Sequence, residues 1–219
     1  MASLLDGFER ARERVEMAPG AVWLRAWLMD VAQAELVARC RAIMDGPAGG
    51  YVPTVRGGGT MRVRMACLGR HWNARTYTYE ATRSDYDHAP VAPVPDAWMA
   101  MAADLAAAAG FTLRPDIALI NFYDADGRMG LHQDKDESAE SIRAGAPVVS
   151  ISLGDTARFL FGGLRRKDPV ESVMLESGDV VVFGGPARLR YHGVSRIVAG
   201  TAPAGLGLQG RFNITFRQY

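Results

Sequence analysis

Two histidines and one aspartate have the spacing of a metal site in this sequence. His132 and Asp134, in the run LHQDKDE, lie two residues apart, so on a strand both side chains leave the same face. By chance alone, four histidines in a chain of this composition would give about 0.4 such pairs, so the pair needs support. His192 supplies that support, because it follows Asp134 by 58 residues and stands beside another β-rich run.

Such a set of ligands favours non-haem Fe(II). Two imidazoles and one carboxylate leave three coordination positions open for O2 and for a chelating co-substrate. Zinc is the competing ion, but it prefers a tetrahedral site, often with a further His or Cys, and no such residue is placed near these three. The alternative without a metal is that His132 and His192 are hydrogen-bonded core histidines.

The last nine residues, RFNITFRQY, have the alternation of a strand and put Arg211, Asn213 and Arg217 on one face. This face could simply meet water. The other interpretation is an anion-binding wall, because an Fe(II) centre with open positions needs an electron donor such as 2-oxoglutarate. Arg217 is suited to clamp its distal carboxylate bidentately, with Arg211 and Asn213 completing the cradle. Asn121 and Tyr123 share a face of the preceding predicted strand and would add an amide and a hydroxyl.

Helices and strands are divided unevenly along the chain. Helical periodicity begins at Asp30, a predicted N-cap, and stops at Gly46; a second helix begins near Pro95 and ends at Gly110. After Gly110 the sequence consists of short β-rich runs separated by Gly, Pro and Asp turns. This pattern predicts a mostly β fold with a jelly-roll core, buttressed on its outer face by the helices of the N-terminal half.

Composition indicates one globular domain over residues 1–219. The chain is 48% hydrophobic and has a formal net charge of +1, so any contact with a polyanion must come from a local patch. The first twenty residues predict neither a signal peptide nor a membrane span, which favours a cytoplasmic protein. Cys40 and Cys67 are predicted to be buried thiols rather than a disulfide.

A basic stretch between residues 55 and 75 carries five arginines and no acidic residue. Such a run is often only a solvated face, and Trp72 within it could be a core tryptophan. The interleaved aromatic rings nevertheless favour a nucleic-acid contact, because bases stack on such planes beside a basic groove. The arginines are Arg56, Arg62, Arg64, Arg70 and Arg75, and the rings are His71, Trp72, Tyr77 and Tyr79.

Taken together, the motifs NFYDADGRMGLHQDKDE, FGGLRRKDP, SGDVVVFGG, YHG and RFNITFRQ resemble the AlkB family of Fe(II)/2-oxoglutarate dioxygenases, of the bacterial alkylation-repair type. The resemblance extends from about Ala18 to the C-terminus. It implies a double-stranded β-helix, the jelly roll of this family. The resemblance also implies iron bound by His132, Asp134 and His192, and 2-oxoglutarate held by Asn121, Tyr123, Arg211, Asn213 and Arg217.

For the substrate, the resemblance implies a nucleotide-recognition lid at about residues 50–90. Trp72 would stack on the damaged base, Tyr77, Thr78 and Tyr79 would contact the nucleic-acid backbone, and Arg166 would reach the substrate. The implied reaction, with O2 and 2-oxoglutarate as co-substrates, demethylates bases of the 1-methyladenine and 3-methylcytosine type in single-stranded DNA, and in RNA as a further candidate, with release of formaldehyde. A monomer is expected.

Asp136 shares the predicted strand face of the metal motif but is not needed as a ligand. Because a carboxylate near the iron favours a positive partner, we predict that Asp136 reads the charge of cationic methylated bases. The insert after Glu137 is expected to flank the substrate cleft. Two alternatives stay open: a dioxygenase that hydroxylates a protein or small molecule, and a non-enzymatic, cupin-like metal-binding module.

Overall fold

The computed structural model describes residues 10–47 and 49–219, so residues 1–9 of the segment used for the signal-peptide prediction lie outside the described residues. The helices are α1 (Asp30–Asp45), α2 (Asp96–Ala108) and α3 (Ala139–Ala144). The strands are β1 (Glu13–Ala18), β2 (Ala21–Arg25), β3 (Arg64–Leu68), β4 (His71–Asn73), β5 (Thr78–Glu80), β6 (Ile117–Tyr123), β7 (Met129–His132), β8 (Val148–Gly154), β9 (Thr156–Phe161), β10 (Glu171–Leu175), β11 (Val180–Phe183), β12 (His192–Val198) and β13 (Arg211–Arg217).

Two antiparallel sheets form the core of the described structure. The larger sheet has the strand order β1-β2-β11-β8-β13-β6-β3, and the smaller has the order β10-β9-β12-β7. Side chains from both sheets form one hydrophobic cluster, in which Tyr123 and Phe183 of the larger sheet pack with Phe159, Phe161 and Val194 of the smaller. The sheets therefore pack face to face, and the predicted jelly-roll core is confirmed.

The helices α1 and α2 cover the outer face of the larger sheet. Leu36 and Val37 of α1 and Trp98 of α2 belong to the same buried cluster as Ile120 and Ile214 of the sheet. The predicted helical buttress is thus confirmed. The predicted N-cap is wrong by one position, because Met29 occupies the cap of α1 and Asp30 is the first helical residue. An acidic residue there still stabilises the positive end of the helix dipole.

Several elements lie where the sequence pattern did not predict them. Strands were expected only after Gly110, yet β1 to β5 precede it. The sequence pattern did not show them because β1 (ERVEMA) is charged and β3 and β4 lie within the basic stretch. The insert after Glu137 contains α3, which Ser138 caps by accepting a hydrogen bond from the Ser141 amide at 3.1 Å. Cys40 and Cys67 are free and buried, as predicted. None of the helices in the described ranges is long and apolar enough to cross a membrane.

Candidate metal and co-substrate site

The smaller sheet brings the two histidines of the predicted triad together. His132 ends β7 and is the register partner of His192, the first residue of β12. Asp134 lies just beyond β7, so the predicted strand alternation does not place it. Its carboxylate nevertheless reaches the histidines, and one ligand atom from each of the three residues lies within 4.8 Å of the others.

Hydrogen bonds to backbone carbonyls orient both imidazole rings. His132 Nδ1 lies 2.9 Å from the Gly130 carbonyl, and His192 Nδ1 lies 3.1 Å from the Arg190 carbonyl. Because a carbonyl only accepts, each neutral ring carries its proton on Nδ1 and leaves the Nε2 lone pair free. Each Nε2 atom lies 3.5 Å from an oxygen of Asp134, so the two lone pairs and the carboxylate converge on one point.

The charges of the triad suit a cation. Burial raises the pKa of Asp134. The Arg217 guanidinium and His192 lower it, and the lowering effects together outweigh that of burial, so the pKa of Asp134 lies well below the ordinary range. Burial lowers the pKa of His192, and the nearby His132 lowers it again. The triad therefore presents an ionised carboxylate and a neutral imidazole, which are the protonation states that a metal ligand requires.

An unused ligand atom tests whether a metal fits. Asp134 Oδ2 is buried and has no hydrogen-bond partner within the described part of the chain. Leaving a buried carboxylate oxygen unpaired is costly, and a cation between this oxygen and the two Nε2 atoms removes that cost. One oxygen and two nitrogen donors, with no cysteine, fit Fe(II). This geometry disfavours the alternative that both histidines are ordinary core residues.

The polar face of β13 points into the core rather than into water. Arg211 is 1% exposed and Arg217 is 8% exposed, so the solvent-facing interpretation of the last strand is wrong. In the register between β13 and β6, Arg211 is opposite Tyr123 and Asn213 is opposite Asn121. These side chains line one cavity that also reaches both histidines of the triad. The five residues predicted to hold 2-oxoglutarate are thus brought together.

The two arginines of this cavity have different partners. Arg217 Nη2 lies 2.7 Å from Asp134 Oδ1, and its Nε lies 3.4 Å from Glu137 Oε1. Arg211 forms no ion pair with any described residue. It donates to the Ser152 hydroxyl at 2.6 Å and to two backbone carbonyls at 3.2 and 3.3 Å. Burial lowers the pKa of Arg211 to about 10, and its Nε has no partner within the described ranges.

A buried guanidinium that has no ion pair within the described ranges is a site for an anion. Arg211 therefore fits the distal carboxylate of a dicarboxylate, while Arg217 stands beside the triad. This geometry revises the sequence-based assignment of the distal clamp to Arg217.

Two buried charges near the triad were missed in the sequence. Arg188 Nη2 lies 2.8 Å from Glu137 Oε2, and the Arg188 guanidinium also donates to the Asp134 backbone carbonyl. Glu137 is 7% exposed and Arg188 is 3% exposed. Both residues lie in charged runs of the sequence, which usually indicate a solvated surface. Neither belongs to an apolar pattern whose period would predict burial. Together they hold the loop that carries Asp134.

Glu137→Ala is expected to lower the free energy of unfolding by about 3–5 kcal/mol, because it leaves Arg188 buried without its carboxylate. Urea unfolding followed by circular dichroism measures this change. Glu140→Ala, in the exposed first turn of α3, is the matched control and should change the stability by less than about 0.5 kcal/mol. Equal effects of the two substitutions would contradict a structural role for the buried pair.

A larger cavity of about 520 Å³ opens in front of the triad. Trp72, Tyr77 and Arg166, which the resemblance implied as substrate residues, line it together with Asp136, which was predicted from its place beside the metal motif. Trp72 Nε1 donates to Asp136 Oδ2 at 2.8 Å, which joins the aromatic plane and the carboxylate in one wall. Apolar side chains complete the lining: Val55, Met61, Met65, Leu119, Met129 and Leu131.

Other predicted lid residues lie elsewhere. Tyr79 is 5% exposed and its hydroxyl accepts a hydrogen bond from Arg217, so the prediction that it contacts a nucleic-acid backbone is wrong. His71 is fully buried and bonds to Asp85 at 2.5 Å, so it offers no stacking plane. Both side chains are buried against the sheet, and the spacing of aromatic residues in the sequence could not show this contact. Thr78 is exposed and hydrogen-bonds within the hairpin.

Four of the five arginines in the basic stretch are exposed, and Arg70 is half-buried. Arg70 lies over the ring of Tyr219 at 3.9 Å, and Arg62 forms an ion pair with Asp126 at 3.0 Å. The side chains of Arg56, Arg64 and Arg75 are exposed. The insert does not line the cavity: α3 packs on the end of the chain, where the Ser141 hydroxyl donates to the Gln218 carbonyl at 2.8 Å.

Comparison with known proteins gives consistent matches. The profile of the 2OG-Fe(II) oxygenase superfamily matches residues 20–217. The protein named DNA N(6)-methyladenine demethylase ALKBH1C from Arabidopsis thaliana is 42% identical over 92% of this chain, which spans about half (49%) of that protein. The alpha-ketoglutarate-dependent dioxygenase AlkB of Salmonella typhimurium is 39% identical, with 98% of each chain covered. A solved structure described as OsALKBH1 superimposes with a TM-score of 0.88 and 39% identity, covering 94% of this chain and all (100%) of that chain.

Proposed function

Because the chain belongs to the 2OG-Fe(II) oxygenase superfamily, and within it to the AlkB family, we propose that it oxidatively demethylates N-alkylated bases in single-stranded DNA, and also in RNA. This family uses Fe(II), 2-oxoglutarate and O2. The observation that carries the proposal is the wall in front of the triad, where an aromatic plane and a carboxylate are hydrogen-bonded to each other. Such a wall suits a flat cation. A monomeric state and a cytoplasmic location remain predictions from the sequence.

The polar groups of the two cavities divide the work of binding. His132, Asp134 and His192 would hold the iron. Arg211 would clamp the distal carboxylate of 2-oxoglutarate, and Arg217 lies at the end of the cavity where the keto acid would be held. The remaining hydrogen bonds to 2-oxoglutarate would come from side chains at paired positions of β13 and β6, namely Tyr123, Asn213 and Asn121.

When bound, Fe(II) with O2 and 2-oxoglutarate supplies the oxidation of an N-methyl group to an N-hydroxymethyl group, with succinate and carbon dioxide as co-products. The C–N bond then breaks with its electron pair left on the base nitrogen, and the hydroxymethyl carbon leaves as formaldehyde. The hydroxyl proton passes to solvent when the lesion was a cation, whereas for an exocyclic amine the nitrogen takes up a proton in its place. Trp72 would hold the base plane still, and the apolar cavity wall would exclude water from the reacting carbon.

Asp136 would select among lesions by charge. Bases methylated at adenine N1 or cytosine N3 are cations, whereas a base methylated on an exocyclic amine is neutral. Asp136 is half-buried, so its carboxylate attracts a cation more strongly than a fully solvated group would. The relatives named N(6)-methyladenine demethylases make the neutral adduct the second candidate substrate.

Asp136→Asn is expected to lower kcat/KM for 1-methyladenine and 3-methylcytosine about tenfold or more, with a smaller effect on N6-methyladenine, because a hydrogen bond to Trp72 survives but the charge does not. Trp72→Ala is the comparison and should weaken all lesions similarly, by about 1–3 kcal/mol per stacked base. Formaldehyde release from methylated oligonucleotides measures both. If the Asp136 variant loses kcat/KM equally on charged and neutral lesions, Asp136 only holds Trp72 in place and does not select lesions by charge.

The same assay tests the function itself. Formaldehyde release from a panel of methylated single-stranded DNA and RNA oligonucleotides is expected, together with succinate formation that the oligonucleotide stimulates. Succinate formation that no oligonucleotide stimulates would favour hydroxylation of a protein or small molecule. A protein that binds metal and does not turn over 2-oxoglutarate would be the cupin-like module.

A further inference from the structure

The hairpin of β4 and β5 contacts both ends of the site. Trp72 and Tyr79 are register partners in this antiparallel pair, so their side chains share one face of the hairpin. Trp72 lines the substrate cavity and donates to Asp136. Tyr79 is buried, and its hydroxyl accepts a hydrogen bond from Arg217, which lines the same cavity. One short hairpin therefore links the base-binding plane to the co-substrate end.

Arg217 continues this link to the triad. Its Nη1 donates to Tyr79, its Nη2 lies 2.7 Å from Asp134 Oδ1, and its Nε lies 3.4 Å from Glu137 Oε1. Because a guanidinium is planar and its donors keep fixed angles, these three partners together define its position. The ring of Tyr79 is held in turn by Tyr219, which packs edge-on against it with centroids 6.1 Å apart. Tyr79 is thus a fixed point between the lid and Arg217.

We propose that Tyr79 is a positioning residue that couples occupancy of the lid to binding of 2-oxoglutarate. The proposal rests on the proposed function. A base stacked on Trp72 holds the hairpin in place, the hairpin holds the Tyr79 hydroxyl, and that hydroxyl holds Arg217 where the keto-acid end of 2-oxoglutarate binds. Coupling of this kind is reciprocal, so 2-oxoglutarate strengthens binding of the base by the same factor.

The test measures binding without turnover. Mn(II) replaces Fe(II), and calorimetry gives the Kd of 2-oxoglutarate with and without a saturating 1-methyladenine oligonucleotide. For the unmodified protein, the oligonucleotide is expected to tighten 2-oxoglutarate binding about tenfold. Tyr79→Phe keeps the buried ring and removes the acceptor. It is expected to weaken 2-oxoglutarate binding on the order of tenfold and to reduce the enhancement to about onefold.

Tyr51→Phe is the matched control. Tyr51 is a second buried tyrosine, at the start of the lid segment. Its hydroxyl contacts the His71 ring at 3.4 Å and the Trp72 carbonyl at 3.3 Å and does not contact Arg217. This variant should lose stability comparably and keep both the 2-oxoglutarate affinity and the enhancement. The comparison separates loss of a buried hydroxyl in general from loss of the contact with Arg217.

Each result decides a separate point. A 2-oxoglutarate affinity in Tyr79→Phe equal to that of the unmodified protein overturns the positioning role. A weakened affinity with the full enhancement overturns the coupling. If the unmodified protein binds 2-oxoglutarate but no methylated oligonucleotide, the proposed function fails and the coupling fails with it. The difference between the two tyrosine variants in 2-oxoglutarate affinity then still decides whether Tyr79 positions Arg217.

Discussion

His132→Ala is expected to abolish both metal binding and the proposed formaldehyde release, by a factor of at least about a thousand, and to retain the fold. The expected loss is large because the triad supplies only three protein ligands, and removing one leaves the ion undercoordinated. The fold survives because His132 is half-buried and its own hydrogen bond is to the nearby Gly130 carbonyl. Metal content after dialysis against Fe(II) under nitrogen, formaldehyde release and a thermal melt measure the three quantities.

His88→Ala is the control for this experiment, because His88 is exposed and stands outside the triad. His192→Ala should repeat the result of His132→Ala. Asp134→Ala is a less clean test, because it also removes the carboxylate that lies 2.7 Å from Arg217. Near-normal metal content in the His132 variant would show that the triad is not the iron site.

The sequence predicted the parts of this site that depend on local period and residue type. His132 and His192 stand at the ends of strands, and the alternation of β13 and β6 puts Arg211, Asn213 and Asn121 on one inner face, as expected. A strand repeats every two residues, so the face of each side chain follows from its position in the sequence. The jelly-roll class followed from the many short β-rich runs after Gly110.

The remaining features depend on contacts between distant segments. The alternation of β13 showed that Arg211 and Arg217 share a face. It could not show that Asp134 neutralises Arg217, or that Arg211 forms no ion pair with a residue that the structure describes. Likewise, Tyr79 looked like a surface aromatic residue in a basic loop, and only the packing of the hairpin on the sheet buries it. Arg217 lies 83 residues from Asp134 and 138 residues from Tyr79 in the sequence, and partners this distant leave no local signal. The sequence alone therefore placed the distal clamp at Arg217, whereas the ion pairs of the structure favour Arg211 for that role.

The different surroundings of these arginines lead to the second large effect. Arg211→Met is expected to leave the empty protein as stable as before, or more stable, and to abolish binding of 2-oxoglutarate. Burial that lowers the pKa of Arg211 to about 10 corresponds to a cost of about 3 kcal/mol for holding this cation in the empty protein. Methionine fills much of the same volume without that cost. The same substitution removes the bidentate partner of the distal carboxylate, which weakens 2-oxoglutarate binding by about 3–5 kcal/mol, or roughly a hundredfold or more.

Thermal melts with Mn(II), in the presence and absence of 2-oxoglutarate, measure both effects at once. A ligand at a hundred times its Kd adds about 2.7 kcal/mol of stability, so the unmodified protein should melt at a higher temperature with 2-oxoglutarate and the Arg211→Met protein should not. Arg217→Met is the matched comparison, and it should destabilise the empty protein because Asp134 and Glu137 lose their cation. If Arg211→Met destabilises the empty protein as much as Arg217→Met does, or keeps its 2-oxoglutarate shift, Arg211 is a structural cation and the distal carboxylate must bind elsewhere in the cavity.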